Sequence, residues 1–186
     1  MELKVAEYRD YKRIAQLHAQ SWRTFYNGIL GDEYLMNEVL EERTAIWQTR
    51  LLNPPFNQHV LLLEEGGLLC GFVCAFGNHD FEKGTIIDAL HVDESFRGRG
   101  LGTRLLTEIT EWIEQYFSDG GVYLEVMENN HQAVEFYNHL GGKNSLCRLW
   151  NAPCGNQVPE LVYTWDSPRE LLKNINESKE KSTAIS

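Results

Sequence analysis

The sequence predicts an α/β (α+β) domain, and three observations carry that prediction. Residues 85–92 read as a mostly apolar strand that passes through the glycine-rich turn Arg97-Gly98-Arg99-Gly100-Leu101-Gly102. Leu101, Leu105, Ile109, Trp112 and Ile113 then recur at helical spacing. Val122-Tyr123-Leu124-Glu125-Val126 reads as another strand, by its apolar run and β-branched residues, and leads into a helix over about 131–140. Two strand pairs complete the pattern: residues 59–64 with 68–76, and roughly 145–150 with 160–165.

Taken in order, Leu3-Lys4-Val5 opens as a short strand. Asp10 is placed to cap a helix carrying Ile14, Leu17, Ser21, Trp22 and Phe25 on one side. Asn27-Gly28 and Gly31-Asp32 interrupt it, and a second helix runs to about Leu52, where Asn53-Pro54-Pro55 stops it. Glu65-Gly66-Gly67 is a hairpin signal between the first strand pair, and Pro153-Cys154-Gly155-Asn156 separates the last pair. After Asp166-Ser167-Pro168 the chain turns rich in Lys, Glu, Asn and Ser, with only Leu171, Leu172 and Ile175 to anchor a turn or two. The expected division is a domain over 1–166 and a polar tail over 167–186, a short helix that then becomes disordered. No internal repeat is visible.

Bulk properties set limits on function. A chain of 186 residues is one domain by length and large enough for a core. A hydrophobic share of 42% with 11% aromatics is a globular composition. No apolar run approaches the ~18 residues of a membrane span, and no apolar region follows Met1-Glu2-Leu3-Lys4 as in a signal peptide; no membrane association is expected. Cys70, Cys74, Cys147 and Cys154 form no Cys-x-x-Cys pair and have no nearby ligand histidine. They read as free thiols in a reducing cytoplasm, with no metal site. The net charge of −10 argues against a nucleic-acid partner. It is compatible with a cationic substrate steered by the long-range field, although solubility alone accounts for it.

The turn at 97–102 is where chemistry enters. A strand, a glycine turn and a helix N-terminus present backbone N–H groups that the helix cannot satisfy. With the positive end of the helix dipole, they suit a phosphate or pyrophosphate. The glycines allow close approach, and Arg97, Arg99 and Arg104 add charge. A Walker A loop is excluded because no Lys stands in the turn. A dinucleotide fingerprint is excluded because Gly98, Gly100 and Gly102 alternate and about half the chain comes first.

The pattern Arg-x-x-Gly-x-Gly at 97–102 resembles the pyrophosphate loop of the GNAT N-acetyltransferase superfamily. Asn130, Ala133, Phe136, Tyr137, Leu140 and Gly141 match a second GNAT pattern, Asn-x-x-Ala-x-x-Phe-Tyr-x-x-Leu-Gly, about thirty residues on. Where that family usually continues with Phe or Tyr, this chain has Gly142, a departure that alters the start of the next strand. The resemblance implies a mixed, mostly antiparallel sheet of about seven strands, flanked by about four helices and splayed in a V between the fourth and fifth strands. It also implies acetyl-CoA as co-substrate, with no metal. The main chain of Leu90, His91 and Val92 should pair with the pantetheine arm beside a bulge, one N–H facing the acetyl oxygen. Arg97, Gly98, Arg99, Gly100, Leu101, Gly102 and Thr103 should wrap the pyrophosphate, and the Asn130 side chain should reach the CoA arm.

Acetyl transfer to an amine needs a base for the ammonium, whose pKa is about 10, a donor to the oxyanion and an acid for the thiolate. The resemblance makes Tyr137 the acid beside the sulfur. It makes Glu125 a candidate base, on a Leu-Glu-Val segment like that of ribosomal-protein alanine N-acetyltransferases. Asp88, His91 and a water chain remain rivals. Strand alternation would put Asp88 with Leu90 on one face and His91 with Ala89 on the other. In the superfamily the acceptor walls come from the first two helices and the last two strands. Here those hold Trp22, Phe25, Tyr26, Tyr34, Trp47, Trp150 and Trp165, most of them expected in the core. The expected function is an N-acetyltransferase acting, in a ternary complex, on a primary amine of a small molecule, peptide or protein. A non-catalytic CoA-binding sensor, and an acyltransferase for another chain or acceptor, are the alternatives. The resemblance leaves a homodimer open.

Overall fold

The computed structural model describes residues 1–184, with side chains through Lys181. Seven strands form one sheet in the order β1-β2-β3-β4-β5-β7-β6. They are β1 (Glu2–Val5), β2 (Gln58–Glu65), β3 (Leu68–Asp80), β4 (Gly84–Val92), β5 (Val122–Met127), β6 (Lys143–Asn151) and β7 (Gln157–Trp165). Every neighbouring pair is antiparallel except β4 with β5.

Five α-helices cover the sheet: α1 (Tyr11–Phe25), α2 (Val39–Leu52), α3 (Leu101–Tyr116), α4 (His131–His139) and α5 (Pro168–Ala184). Strand alternation sorts the core into two layers. Ile14, Leu17, Trp47 and Leu51 of α1 and α2 pack on Val60, Leu62, Phe72 and Cys74. Leu105, Ile109 and Ile113 of α3 pack on Leu61, Leu63, Val73 and Ala75 from the opposite face.

The parallel junction fixes the site. β4 and β5 pair only at Thr85↔Val122 and Ile86↔Tyr123, then diverge, which is the expected splay. They close at one end because two glycines meet there. A Cβ on Gly84 would stand 2.2 Å from the Gly121 carbonyl oxygen, and φ at Gly84 is +86°. Beyond Ile86 no strand among the described residues covers the β5-facing edge of β4.

Several elements differ from the sequence reading. Asp10 stands at the start of α1 without capping it; its Oδ2 accepts from the Glu7 N–H at 2.7 Å and its Oδ1 from Arg13 Nε at 2.8 Å. The second helix begins as a π-helical turn, Tyr34–Glu38, before α2. α5 is longer than the turn or two expected, and it is the fifth helix, because Leu171 and Ile175 are fully buried against α3 and the sheet. Asn174 Nδ2 also donates to the Leu140 carbonyl at 3.0 Å. Of the disordered end expected for the tail, residues 185–186 lie outside the described residues. At Gly142 a Cβ would meet the rings of Trp165 and Tyr163 at 2.8 Å. Those rings fill the room that a larger residue would need.

Candidate functional site

The splay opens into a cavity of about 670 Å³ that runs from the N-terminus of α3 to α1, α2 and β7. Its two ends have different chemistry.

At one end lie Arg97, Gly98, Gly100, Leu101, Gly102 and Thr103. Gly98 and Gly100 have φ of +75° and +72°, and a Cβ at either would meet nothing within 4 Å. Both are therefore required by backbone conformation, and the space over them is free for a ligand. Gly100 precedes α3, and no side chain caps the helix, so its first N–H groups are available to an anion. Arg97 is held at the rim, its guanidinium 4.8 Å from the centroid of Phe25. Arg99 is turned away into a two-pronged pair with Glu65 of β2, at 2.8 and 3.2 Å. Arg104 donates to the Met1 carbonyl at 3.5 Å. Of the three arginines only Arg97 lines the cavity.

The middle of the cavity is bare backbone. The Asp93 N–H donates to the Cys70 carbonyl of β3 at 2.9 Å. Hydrogen-bonded pairs alternate along an antiparallel ladder, so with the register Phe72↔His91 and Val73↔Leu90 the His91 main chain also bonds to β3. The N–H and C=O of Leu90 and Val92 point instead to the uncovered edge. The Val92 carbonyl, 3.4 Å from Arg97 Nε, agrees with that direction. Of the three residues that the resemblance implies, Leu90 and Val92 are the ones whose main-chain groups face the open edge.

A β-bulge lies at Asp88, where consecutive Cys74 and Ala75 oppose Ala89 and Ile87. It breaks the alternation expected along β4. Asp88 does not share a face with Leu90; it turns toward α2, where Arg50 Nη1 meets its Oδ2 at 2.7 Å. Leu90 packs with the α3 layer.

At the far end lie Tyr137, Glu125 and the aromatic walls. Tyr137 is 8% exposed, between Phe136 at 5.3 Å, Tyr163 at 6.1 Å and Trp165 at 6.3 Å between centroids. Burial pushes its phenol well above the usual value, so the hydroxyl carries its proton. Asn130 caps α4, its Oδ1 accepting from the Ala133 N–H at 3.2 Å, and it lines the cavity between the two ends. Trp22, Phe25, Tyr26 and Trp150 line the cavity, whereas Trp47, Tyr34 and Trp165 are core.

Glu125 lines the cavity too, but it is tied: Arg148 Nη2 stands 2.5 Å from its Oε1. The same guanidinium holds Glu160 of β7, Nε to Oε2 at 2.8 Å. Glu160 is 4% exposed and lines the same wall. Burial raises its carboxyl, the Arg148 hydrogen bond opposes that, and the neighbouring Glu125 charge raises it further. Tyr26 is pushed up to about 12 by burial and by the Glu160 charge.

His91 is pushed down to about 4 by burial and by the charges of Arg43 and Arg97, and its ring lies 4.6 Å from that of His18 and 5.4 Å from Phe72. His18 is also held neutral by burial, and its Nδ1 accepts from Trp47 Nε1 at 3.0 Å.

Glu160, Arg43 and Arg50 are the residues the sequence reading missed. Glu160 is a lone carboxylate between Val158 and Val162, its same-face neighbours on β7, and that isolation was its signal. Arg43 and Arg50 flank the buried Trp47 at helical spacing. Among the described residues, no group of three or more His, Cys, Asp or Glu is placed to hold a metal ion.

This fold and cleft are those of an acetyltransferase family. The model of the acetyltransferase (GNAT) family matches residues 13–141, more than half of the chain, and the chain belongs to that family. It is 30% identical over 139 residues to the uncharacterized N-acetyltransferase YuaI of Bacillus subtilis, covering 73% of this chain and 76% of the relative. Its fold matches a GCN5-related N-acetyltransferase from Rhodopseudomonas palustris with TM-score 0.70 at 18% identity, over 89% of this chain and 94% of that one. It also matches the PaiA N-acetyltransferase from Thermoplasma acidophilum, solved in complex with coenzyme A, with TM-score 0.63 at 15% identity, over 86% and 98% of the two chains.

Proposed function

We propose that this protein transfers the acetyl group of acetyl-CoA to a primary amine by direct attack within a ternary complex. The observation that carries the reading is the uncovered main chain of Leu90 and Val92. It leads from an uncapped helix N-terminus with two left-handed glycines to a buried tyrosine and a buried carboxylate. The residues present fit the cofactor: the first N–H groups of α3 and Arg97 suit its pyrophosphate, and the bare edge suits an amide-bearing arm that adds to it as a strand. The coenzyme A in the PaiA structure agrees with this fit.

The cofactor supplies a thioester carbonyl and a thiol leaving group. A protonated amine cannot attack, so the chain must first take a proton. Glu160 is better suited than His91, because burial raises the carboxyl while it lowers the imidazole to about 4. Glu125 and Arg148 set the charge around Glu160, and Glu125 takes a supporting role in place of the base role considered from sequence. As the N–C bond forms, the N–H of Leu90 or Val92 donates to the carbonyl oxygen. As the C–S bond breaks, the Tyr137 hydroxyl donates a hydrogen bond to the departing sulfur. The second proton that the nitrogen loses in becoming an amide passes to the thiolate, and the proton held by Glu160 passes to solvent.

Calorimetry with acetyl-CoA, alongside a thiol-release assay over polyamines, aminoglycosides, amino acids and N-terminal peptides, tests this. Saturable binding with amine-dependent release supports transfer. Binding without release from any amine class points to a binding module, and no binding removes the cofactor assignment.

A further inference from the structure

The acceptor end of the cavity carries opposite charges on opposite walls. Glu125 and Glu160 stand on β5 and β7, and Arg43 and Arg50 stand on α2. Arg50 is committed: it pairs with Asp88, and its guanidinium lies 5.1 Å from the rings of both Trp47 and Phe76. Arg43 is not committed in the same way. Its guanidinium lies 4.3 Å from the centroid of Trp22, and one nitrogen, Nη2, pairs with Glu42, whose other oxygen accepts from the Tyr34 hydroxyl. Its Nε is buried without any hydrogen-bond partner, the one such side-chain atom among the described residues.

A guanidinium has five N–H donors. Leaving a buried one unpaired is unfavourable, and neither the contact with Trp22 nor the pair with Glu42 satisfies Nε. The group is part of the cavity wall, beside neutral His18 and His91. Its charge there disfavours a second ammonium on the acceptor and favours an anion.

The geometry points to an acceptor that carries a carboxylate as well as its amine, an amino acid or similar short amino carboxylate, with the carboxylate on Arg43 and the ammonium directed to the Glu125–Glu160 wall. Trp22, Tyr26 and Trp150 leave an apolar surface between the poles for the rest of the molecule. This inference rests on the acetyl-transfer reading and narrows it. The net charge of −10 draws polyamines toward the protein as a whole, yet Arg43 opposes a polycation at the acceptor end.

The test uses acceptor pairs that differ only in the carboxylate: phenylalanine against phenethylamine, and leucine against isoamylamine. Calorimetric binding to the protein with coenzyme A present is measured beside thiol release from acetyl-CoA, for the wild type, Arg43→Met and Arg43→Lys. A charge-assisted pair to arginine corresponds to about 10- to 100-fold in affinity. The wild type is expected to favour the carboxylate member of at least one pair by that factor. Arg43→Met should erase the preference and Arg43→Lys should restore part of it, with coenzyme A affinity unchanged in all three as the check on folding. Binding preference with no thiol release keeps the anion subsite and overturns acetyl transfer. Thiol release with equal rates for both members, or a preference that Arg43→Met leaves intact, overturns the subsite while transfer stands. No binding of any of the four compounds overturns the subsite as well.

Discussion

Replacing Tyr137 by Phe separates the hydroxyl's proposed role at the leaving sulfur from the packing of its ring. The ring sits among Phe136, Tyr163 and Trp165, and its hydroxyl makes no hydrogen bond to a described residue. Phenylalanine keeps the ring contacts, so the stability change should stay below about 1 kcal/mol, or about 2–4 °C in Tm for a chain of this size. General acids contribute about a hundred- to ten-thousandfold. Burial moves the phenol upward, further from a thiol's ordinary value of about 8.5, so complete proton transfer to the sulfur is uphill. A hydroxyl so placed acts best as a hydrogen-bond donor to the departing thiolate, which sets the expected loss in kcat near the low end, about a hundredfold. Acetyl-CoA affinity should hold within about threefold, since the proposed binding uses the α3 N-terminus and the β4 edge. The assay is thiol release under saturating acetyl-CoA, with calorimetry and thermal melting on the same samples. A variant that keeps full turnover across a broad pH range would refute the reasoning.

The other residues give sharper contrasts. Gly100→Glu places bulk and negative charge where the free space over φ +72° suits an anion; calorimetry should show acetyl-CoA binding lost while the fold melts cooperatively. Gly84→Ala forces a Cβ to 2.2 Å from the Gly121 carbonyl oxygen at φ +86°; denaturant unfolding should show a loss above about 2 kcal/mol. The carboxyl of Glu160 is raised in the folded protein and must be ionised to accept a proton. The profile of kcat/KM should therefore climb as pH rises through that raised value, and Glu160→Gln should lower the rate and remove that limb. His91, held at about 4, is neutral across pH 5–8, and an NMR titration of its ring should be flat there; a midpoint near 6.5 would return it to the candidates for base.

Much of this was written locally in the chain. Strand order along the sequence and the hairpins follow from periodicity and turn residues, and the resemblance of the two motif blocks to GNAT patterns points to the α3 N-terminus and Tyr137. What escaped depended on pairing across distance. The bulge at Asp88 exists only relative to Cys74 and Ala75, and it reverses the face that simple alternation assigns to Asp88. The commitment of Arg99 to Glu65 and of Arg148 to both Glu125 and Glu160 joins residues far apart in sequence, so a loop arginine read as a phosphate ligand turned away and a strand glutamate read as a base became tied. α5 persists because Leu171 and Ile175 find a buried seat that the polar composition of the segment does not advertise.

The central claim is that the cleft between β4 and β5 binds acetyl-CoA and delivers its acetyl group to an amine. The most direct measurement is thiol release from acetyl-CoA in the presence of the amine panel, with mass analysis of the amine product and calorimetric titration of the cofactor in parallel. The expected result is one class of amine that releases thiol and gains an acetyl group, on a protein that binds acetyl-CoA saturably. A protein that gives no binding isotherm with acetyl-CoA contradicts the claim.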